Sequence, residues 1–352
     1  MRSQNKNELA YLCALTLLFS YAELVLPRVV PFFRLGLANT VILLALDINF
    51  SSYLILSILK ATAASLTGGT LFSPFFLISL LQSVFSALVM RLLYKLISKR
   101  AISIYGISVT GSAVSAVIQI FLSSLYIGKG TFALLGPMLI FNTASGILTA
   151  FFCEKSGIKE SIICIKENPA RTRNQPSDSI QNEKSKRPSS QIIFATILII
   201  TSVSVFFIKN LMILGLAFII SLAAQKLAKR KIFLIPHISM WIFILISALF
   251  IPNGKVLFKI WNLSITEDAL LLGLQKALTL STVSALSQCA ISLQPGKNTL
   301  LGQSLNYYRI MSNRFRNAEG SIIKRINYAL CIDSNAEQSQ QMQTDTEAQY
   351  NP

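Results

Sequence analysis

From its first residue the chain alternates long apolar stretches with short polar ones. A polar start, Met1 to Glu8, gives way to an unbroken apolar run from Leu9 to Leu26. Further runs follow at about 35–50, 52–67, 72–97, 102–127, 132–152, 192–208, 210–227, 232–250 and 268–291. Most approach the ~20 residues that carry a helix across ~30 Å of hydrocarbon. The runs are continuous and lack the alternation of a lipid-facing barrel strand, so they predict helices. The expected fold is all-α: a polytopic transmembrane helical protein of about ten spans. Runs 35–50 and 52–67 are short and parted only near Asp47–Ser52, so a tilted or partly re-entrant course is open for them. The first run begins like a signal peptide but has no small-x-small cleavage site, and it reads as a retained first span.

Polar interruptions group the spans. Residues 153–191 are rich in Lys, Arg, Ser, Asn and Pro without apolar periodicity, which predicts a basic cytoplasmic linker. It separates a six-span domain, 1–152, from a four-span domain, 192–316. Residues 317–352 end in a run of Gln, Asn, Asp and Glu and predict a polar, largely disordered cytoplasmic tail. No internal repeat relates the halves.

Composition agrees with lipid as the solvent. Apolar residues make up 53% of the chain and charged residues 13%, against about 25% charged in a soluble domain. The net charge of +17 raises nucleic acid as a partner, but its distribution excludes that reading. The basic residues cluster at 155–187, at Lys226 to Lys231 and at Lys297 to Arg325, alternating with apolar runs. With the N-terminus inside, every large cluster falls on the cytoplasmic side, while the outer loops receive only Arg28, Arg34, Lys129, Lys209, Lys255 and Lys259. The expected location is a bacterial cytoplasmic (inner) membrane with both termini cytoplasmic. Cys13, Cys153, Cys164, Cys289 and Cys331 show no ligand-like spacing, so no metal site and no disulfide framework is expected.

Polar residues at lipid depth must be paired or face a cavity, and the first six runs hold several. Glu23 stands near the outer end of the first run; Arg34 and Asn39 open the second. Either Glu23 and Arg34 form a structural pair, or they flank a site for a small polar or zwitterionic ligand. With Asn39 and Gln119 they share one expected depth, and these four are the candidate substrate-binding set. Lys60, central in the third run, either snorkels or serves a pocket. Ser108, Gly111, Ser115 and Gln119 form a small polar stripe on one helix face, and Asn142, Ser145, Gly146 and Thr149 form another. Such stripes mark close helix packing as readily as a pocket, so Ser115 and Asn142 stand as pocket or packing residues.

Several of these residues carry a resemblance. Ser20-Tyr21-x-Glu23, Arg34-Leu35-Gly36-Leu37-Ala38-Asn39, Gly68-Gly69, Met90 and Gly106-Ile107-Ser108-Val109-x-Gly111 resemble the membrane family of heptaprenyl diphosphate synthase component I, also called the Gx transporter family. The resemblance covers roughly 8–155. It implies a likeness in size and six-span layout to the substrate-binding component of energy-coupling-factor transporters. Two positions depart from the family: Arg34 stands where Lys is usual, and Ser115-Ala116 where a His-Asn pair is common, with Gln119 retained. Residues 192–316 faintly resemble the coupling component of the same transporters, at Gly254 to Phe258, Ile265-Thr266 and Gly273 to Leu280. On that reading Arg309, Arg314 and Arg316 face a cytoplasmic partner.

The first functional expectation is a membrane transporter component that binds and translocates a small polar or vitamin-like substrate. The chain has no G-x-x-x-x-G-K-[ST] loop, so an ATP-driven version needs separate cytoplasmic ATPase subunits. Besides these subunits and a small-molecule substrate, membrane lipid is the expected partner, and no cofactor is expected. The alternative is a non-catalytic membrane accessory in prenyl diphosphate or isoprenoid metabolism. Chain elongation itself needs clustered carboxylates to hold Mg²⁺ against a diphosphate. The adjacent acidic pair is Glu267-Asp268, and no Asp-Asp-x-x-Asp cluster exists; no catalytic residue is therefore assigned. A structural membrane protein without a ligand is the third class.

Overall fold

The computed structural model describes residues 3–25, 36–96, 103–155, 188–228, 234–249, 255–260, 263–289, 296, 299–320, 325–326 and 328–329. Six helices come first: α1 (Ser3–Val25), α2 (Asn39–Leu44), α3 (Phe50–Gly68), α4 (Pro74–Leu96), α5 (Ile104–Tyr126) and α6 (Leu135–Lys155). Then follow α7 (Pro188–Val205), α8 (Leu211–Leu227) and α9 (Ile235–Leu249). A hairpin of β1 (Val256–Ile260) and β2 (Leu263–Thr266) leads into α10 (Glu267–Gln288), and α11 (Leu300–Asn317) comes last. Among the described residues, Phe50–Gly68, Pro74–Leu96, Ile104–Tyr126, Lys129–Glu154 and Glu267–Gln288 are long and apolar enough to cross a membrane. Glu8–Ala22, Ile193–Val205 and Leu211–Leu227 are shorter apolar helices. Large apolar side chains such as Phe121, Ile140, Ile200, Met212 and Ile220 stand exposed, as a lipid-facing surface requires. The architecture is that of a polytopic helical membrane protein.

Among the described residues five helices reach spanning length, fewer than the expected count of about ten. Run 35–50 forms only the short α2 and a 3₁₀ turn at Ala45–Asp47. Six residues of helix rise about 9 Å, far short of a bilayer. The break begins at Gly36, whose φ of +68° is a left-handed conformation that side-chain-bearing residues rarely adopt. Such an interrupted segment is tolerated at membrane depth where protein covers it, and Leu37, Ala38, Val41, Ile42 and Leu43 are all buried.

Antiparallel pairing sets the register of the long helices. Gln82 of α4 donates to Ser115 of α5, and the Ser86 hydroxyl donates to the Gly111 carbonyl at 2.8 Å. Ser108 of α5 donates to the Gly146 carbonyl of α6 at 2.7 Å. The small stripes of α5 and α6 therefore serve helix contact, letting backbones approach and supplying hydroxyl donors across the gap.

α1 lies at the centre of this body, with every residue from Leu9 to Phe19 buried. One side of it is covered by α11. Tyr307 meets Tyr11 edge-on with ring centroids 6.3 Å apart, and Phe315 meets Tyr21 at 6.1 Å. Ser304, Met311 and Phe315 are buried, while Asn306, Arg309, Asn313 and Arg316 form the exposed face at helical spacing.

The remaining helices pack around α10, which touches α7, α8 and α9. α10 also meets the first body. The Lys276 ammonium donates to the Ile127 carbonyl at 2.5 Å, and the Phe72 amide donates to the Ser287 hydroxyl at 2.9 Å. Phe72 and Ile127 lie at one end of the antiparallel α4–α5 pair. From Lys276 to Ser287 the helix rises about 16 Å, so α10 crosses that end obliquely. The hairpin just before α10 was not foreseen by the helical reading. β1 and β2 pair antiparallel, Lys259 opposite Ser264, with an irregularity between Val256 and Phe258.

Candidate functional site

The break at Gly36 gathers a polar cluster where α2 packs against α1, α3 and α6. The Asn39 amide donates to the Gly36 carbonyl at 2.7 Å, closing the turn into α2. Lys60, half-buried on α3, donates from Nζ to Asn39 Oδ1. From α6, Thr149 reaches the Gly36 carbonyl at 3.5 Å while donating to Ser145 O at 2.8 Å. A Cβ added to Gly36 would stand 3.1 Å from Ser145 Oγ and 3.3 Å from Asn39 Nδ2, so the close approach and the positive φ both select glycine. Thr40 is fully buried, and its Oγ1 meets no hydrogen-bond partner among the described residues. An ammonium, a carboxamide and several hydroxyls thus surround the turn that leads into α2. Together they can hold a polar or anionic group while the neighbouring Leu and Ile side chains exclude water.

Of the candidate substrate set, Asn39 lies in this cluster. Glu23 is in the last turn of α1; its side chain, and Arg34 altogether, lie outside the described residues. Gln119 is half-buried on α5, one turn beyond Ser115. The registers of Ser86 with Gly111 and of Ser83 with Ser57 put it near the level of Lys60. Among the described residues no hydrogen bond joins Gln119 to Asn39. Lys60 is brought to Asn39. Ser115 is engaged by Gln82, and Asn142 donates back to Met138 O of its own helix at 2.9 Å. Arg309 and Arg316 are exposed on α11 and Arg314 is half-buried there; Arg316 bonds Asn313 at 2.6 Å. Among the described residues no group of three or more His, Cys, Asp or Glu gathers as a metal-ligand set.

The sequence reading missed three polar groups. Arg91 of α4 is buried over the Phe50 and Tyr53 rings, and Lys276 is half-buried against the end of α5. Gln225 of α8 donates to Gln288 of α10. Arg91 was legible as a lone basic residue one turn before Lys95, inside an otherwise apolar run.

Residues 12–155, spanning most of α1 through α6, match the profile of the family described as Heptaprenyl diphosphate synthase component I. That match supports assigning this segment to the family. Residues 187–292 match a second family, described as a Domain of unknown function (DUF8519); neither match ties a segment to energy-coupling-factor transporters. No curated protein and no solved structure matches the chain.

Proposed function

We propose that the chain is a non-catalytic membrane accessory in prenyl diphosphate or isoprenoid metabolism. The match of 12–155 to the heptaprenyl diphosphate synthase component I family carries the reading. The chain lacks the clustered carboxylates of a prenyl-elongating centre, so it acts beside an enzyme. Its part is to hold an isoprenoid substrate or product at the membrane, where apolar helix faces suit the chain and polar groups suit the head. The test is photolabelling of the chain in nanodiscs with a photoreactive prenyl diphosphate analogue. Labelling within α1–α6, displaced by unlabelled prenyl diphosphate, is the expected result. Labelling no stronger than that of a simple alkyl alcohol probe of equal length would overturn the proposal.

One observation favours a second reading, transport of a small polar or vitamin-like substrate. Many transporters build a substrate site at the N-terminus of a short half-helix within the membrane, and the polar groups at the start of the short α2, Asn39 with Lys60, suit that form. Here Glu23, Arg34, Asn39 and Gln119 hold the substrate, and the exposed Arg309 and Arg316 serve a separate ATPase. Liposomes holding the chain alone then bind substrate without ATP-driven uptake. Robust ATP hydrolysis by the isolated chain is the result that sinks this version.

A further inference from the structure

A second polar site lies where the start of α1 meets the start of α3. Glu8, Leu9 and Leu12 of α1 line an open pocket of about 210 Å³ with Asp47, Asn49 and Ser52. Ser52 and Lys60 are two turns apart on α3, about 12 Å, so the pocket is distinct from the cluster at Gly36. Ser52 is 7% exposed and forms part of the pocket wall, and among the described residues its hydroxyl has no hydrogen-bond partner. Asn49 precedes α3 without capping it through its side chain. Glu8 is half-buried, and among the described residues its carboxylate meets neither a cation nor a hydrogen-bond donor. Asp47 accepts a hydrogen bond from Tyr94.

Two carboxylates, an amide and a hydroxyl present mainly acceptors, and no basic side chain lines the pocket. Arg91 is engaged elsewhere: its Nη2 donates to the Ile48 carbonyl at 2.5 Å, and its guanidinium lies over the Phe50 and Tyr53 rings. Lys6 and Lys95 are exposed, and among the described residues neither pairs with Glu8 or Asp47. An anion here would meet two like charges, whereas a cation meets two opposite ones, and Glu8 has given up part of its hydration beside Leu9 and Leu12. Ca²⁺ and Mg²⁺ gather six or more oxygens, and a single ion fills little of a space that equals the share of about seven waters. A primary ammonium carries three N–H donors and no acceptor, which suits this lining, and Leu9 and Leu12 offer an apolar wall to the carbon chain behind it.

We propose that the pocket of Glu8, Asp47, Asn49 and Ser52 binds the primary ammonium group of a small alkylamine. The ammonium donates charge-assisted hydrogen bonds to the Glu8 and Asp47 carboxylates and to the Ser52 hydroxyl oxygen. Asn49 adds an amide oxygen, and the carbon chain lies against Leu9 and Leu12. Two sources carry this group: a free amine, or the ethanolamine head of a phospholipid. The assignment is independent of both the isoprenoid and the transport reading.

The test is a ligand-observed NMR titration of the full chain in phosphatidylcholine nanodiscs with butylammonium and tetramethylammonium, with Mg²⁺ as competitor. Butylammonium is expected to bind at least about tenfold tighter than tetramethylammonium, which has the charge without the N–H donors. Glu8→Gln with Asp47→Asn lowers the butylammonium affinity at least about tenfold, and Ser52→Ala lowers it about threefold or more. Asp47 is exposed, so Asp47→Asn alone keeps the test decisive if the double variant fails to fold. No saturable butylammonium binding, equal binding of tetramethylammonium, displacement of butylammonium by Mg²⁺ at equal concentration, or carboxylate variants that bind like the native chain overturn the site. Exchanging part of the phosphatidylcholine for phosphatidylethanolamine separates the two sources, since both lipids are zwitterionic. Weaker butylammonium binding in those discs assigns the pocket to the lipid head, and unchanged binding assigns it to a free amine; both uphold the ammonium site.

Discussion

Gly146→Ala tests the α5–α6 packing most directly, because the obstruction is backbone. A Cβ at Gly146 would stand 2.8 Å from Ser112 Oγ, 2.9 Å from Val109 Cα and 3.1 Å from the Ser108 carbonyl. Ordinary contacts need several tenths of an ångström more, so α6 must move away from α5. Overpacking of this kind costs about 1–3 kcal/mol. The shift also stretches the hydrogen bond from Ser108 Oγ to the Gly146 carbonyl, a contact worth about 0.5–1.5 kcal/mol. Against this stands the better helix propensity of alanine, about 1 kcal/mol. The net expectation is a loss of about 1–3 kcal/mol. Gly215→Ala in α8 is the control, since nothing lies within 4 Å of its added Cβ; it is expected to be neutral or stabilising by up to about 1 kcal/mol. Gly111→Ala should fall between them, because its Cβ meets the flexible Met90 side chain, at 2.5 Å from Cγ. Denaturant unfolding in mixed micelles, followed by circular dichroism, gives the three values. A Gly146→Ala protein as stable as Gly215→Ala would refute the packing argument.

Asn39→Ala and Lys60→Met should each destabilise by about 1–3 kcal/mol, through loss of a hydrogen bond to a charged group. Their double-mutant cycle should show a coupling of at least about 0.5 kcal/mol; additive effects would mean that the contact is idle. Lys276→Met removes the hydrogen bond from α10 to the end of α5 and should cost about 1.5–3 kcal/mol, read as a lower melting temperature. Lys276→Arg, which keeps a donor, should recover part of the loss, and an unchanged melting temperature for Lys276→Met counts against the contact. Cysteine-accessibility labelling should place position 129 and the 252–265 loop on the side opposite the 153–191 linker. Labelling all three from one side removes the expected orientation.

The membrane character of the fold was legible because apolar run length reports directly on hydrocarbon thickness: α4 and α5 fall within the expected runs, and α3 and α6 overlap theirs, exceeding them by no more than three residues at an end. Span identity was less legible. Run 35–50 is apolar enough to resemble a span, yet Gly36 and the turn at Leu37–Ala38 break it; hydropathy registers burial in protein and burial in lipid alike. The stripes of α5 and α6 were visible in the spacing of Ser108, Gly111, Ser145 and Gly146, but the helix each would face was not. Asn39 was legible as an intramembrane amide. Its pairing with Lys60 was not, because the turn that brings α2 beside α3 is a tertiary event. Arg91 escaped because one basic residue near a helix end ordinarily snorkels; its burial follows from the Phe50 and Tyr53 rings that α3 lays over it.

α11 shows how far local pattern and tertiary role can diverge. Its sequence is amphipathic and basic, as a surface helix would be, and the exposed Arg309 and Arg316 accord with that. It lies beyond both matched segments, which end at 155 and 292. Yet its apolar face closes the centre of the first body. The ring contacts at Tyr11–Tyr307 and Tyr21–Phe315 show that it runs in the same direction as α1. Between Tyr11 and Tyr21 α1 rises about 15 Å, so α11 accompanies it over roughly half the hydrocarbon thickness. Arginines presented to lipid at that depth are costly. The exposed face bearing Asn306, Arg309, Asn313 and Arg316 therefore belongs toward water or toward a polar partner. The α1–α11 pair then marks the side of the molecule at which the bundle turns from lipid to a polar neighbour.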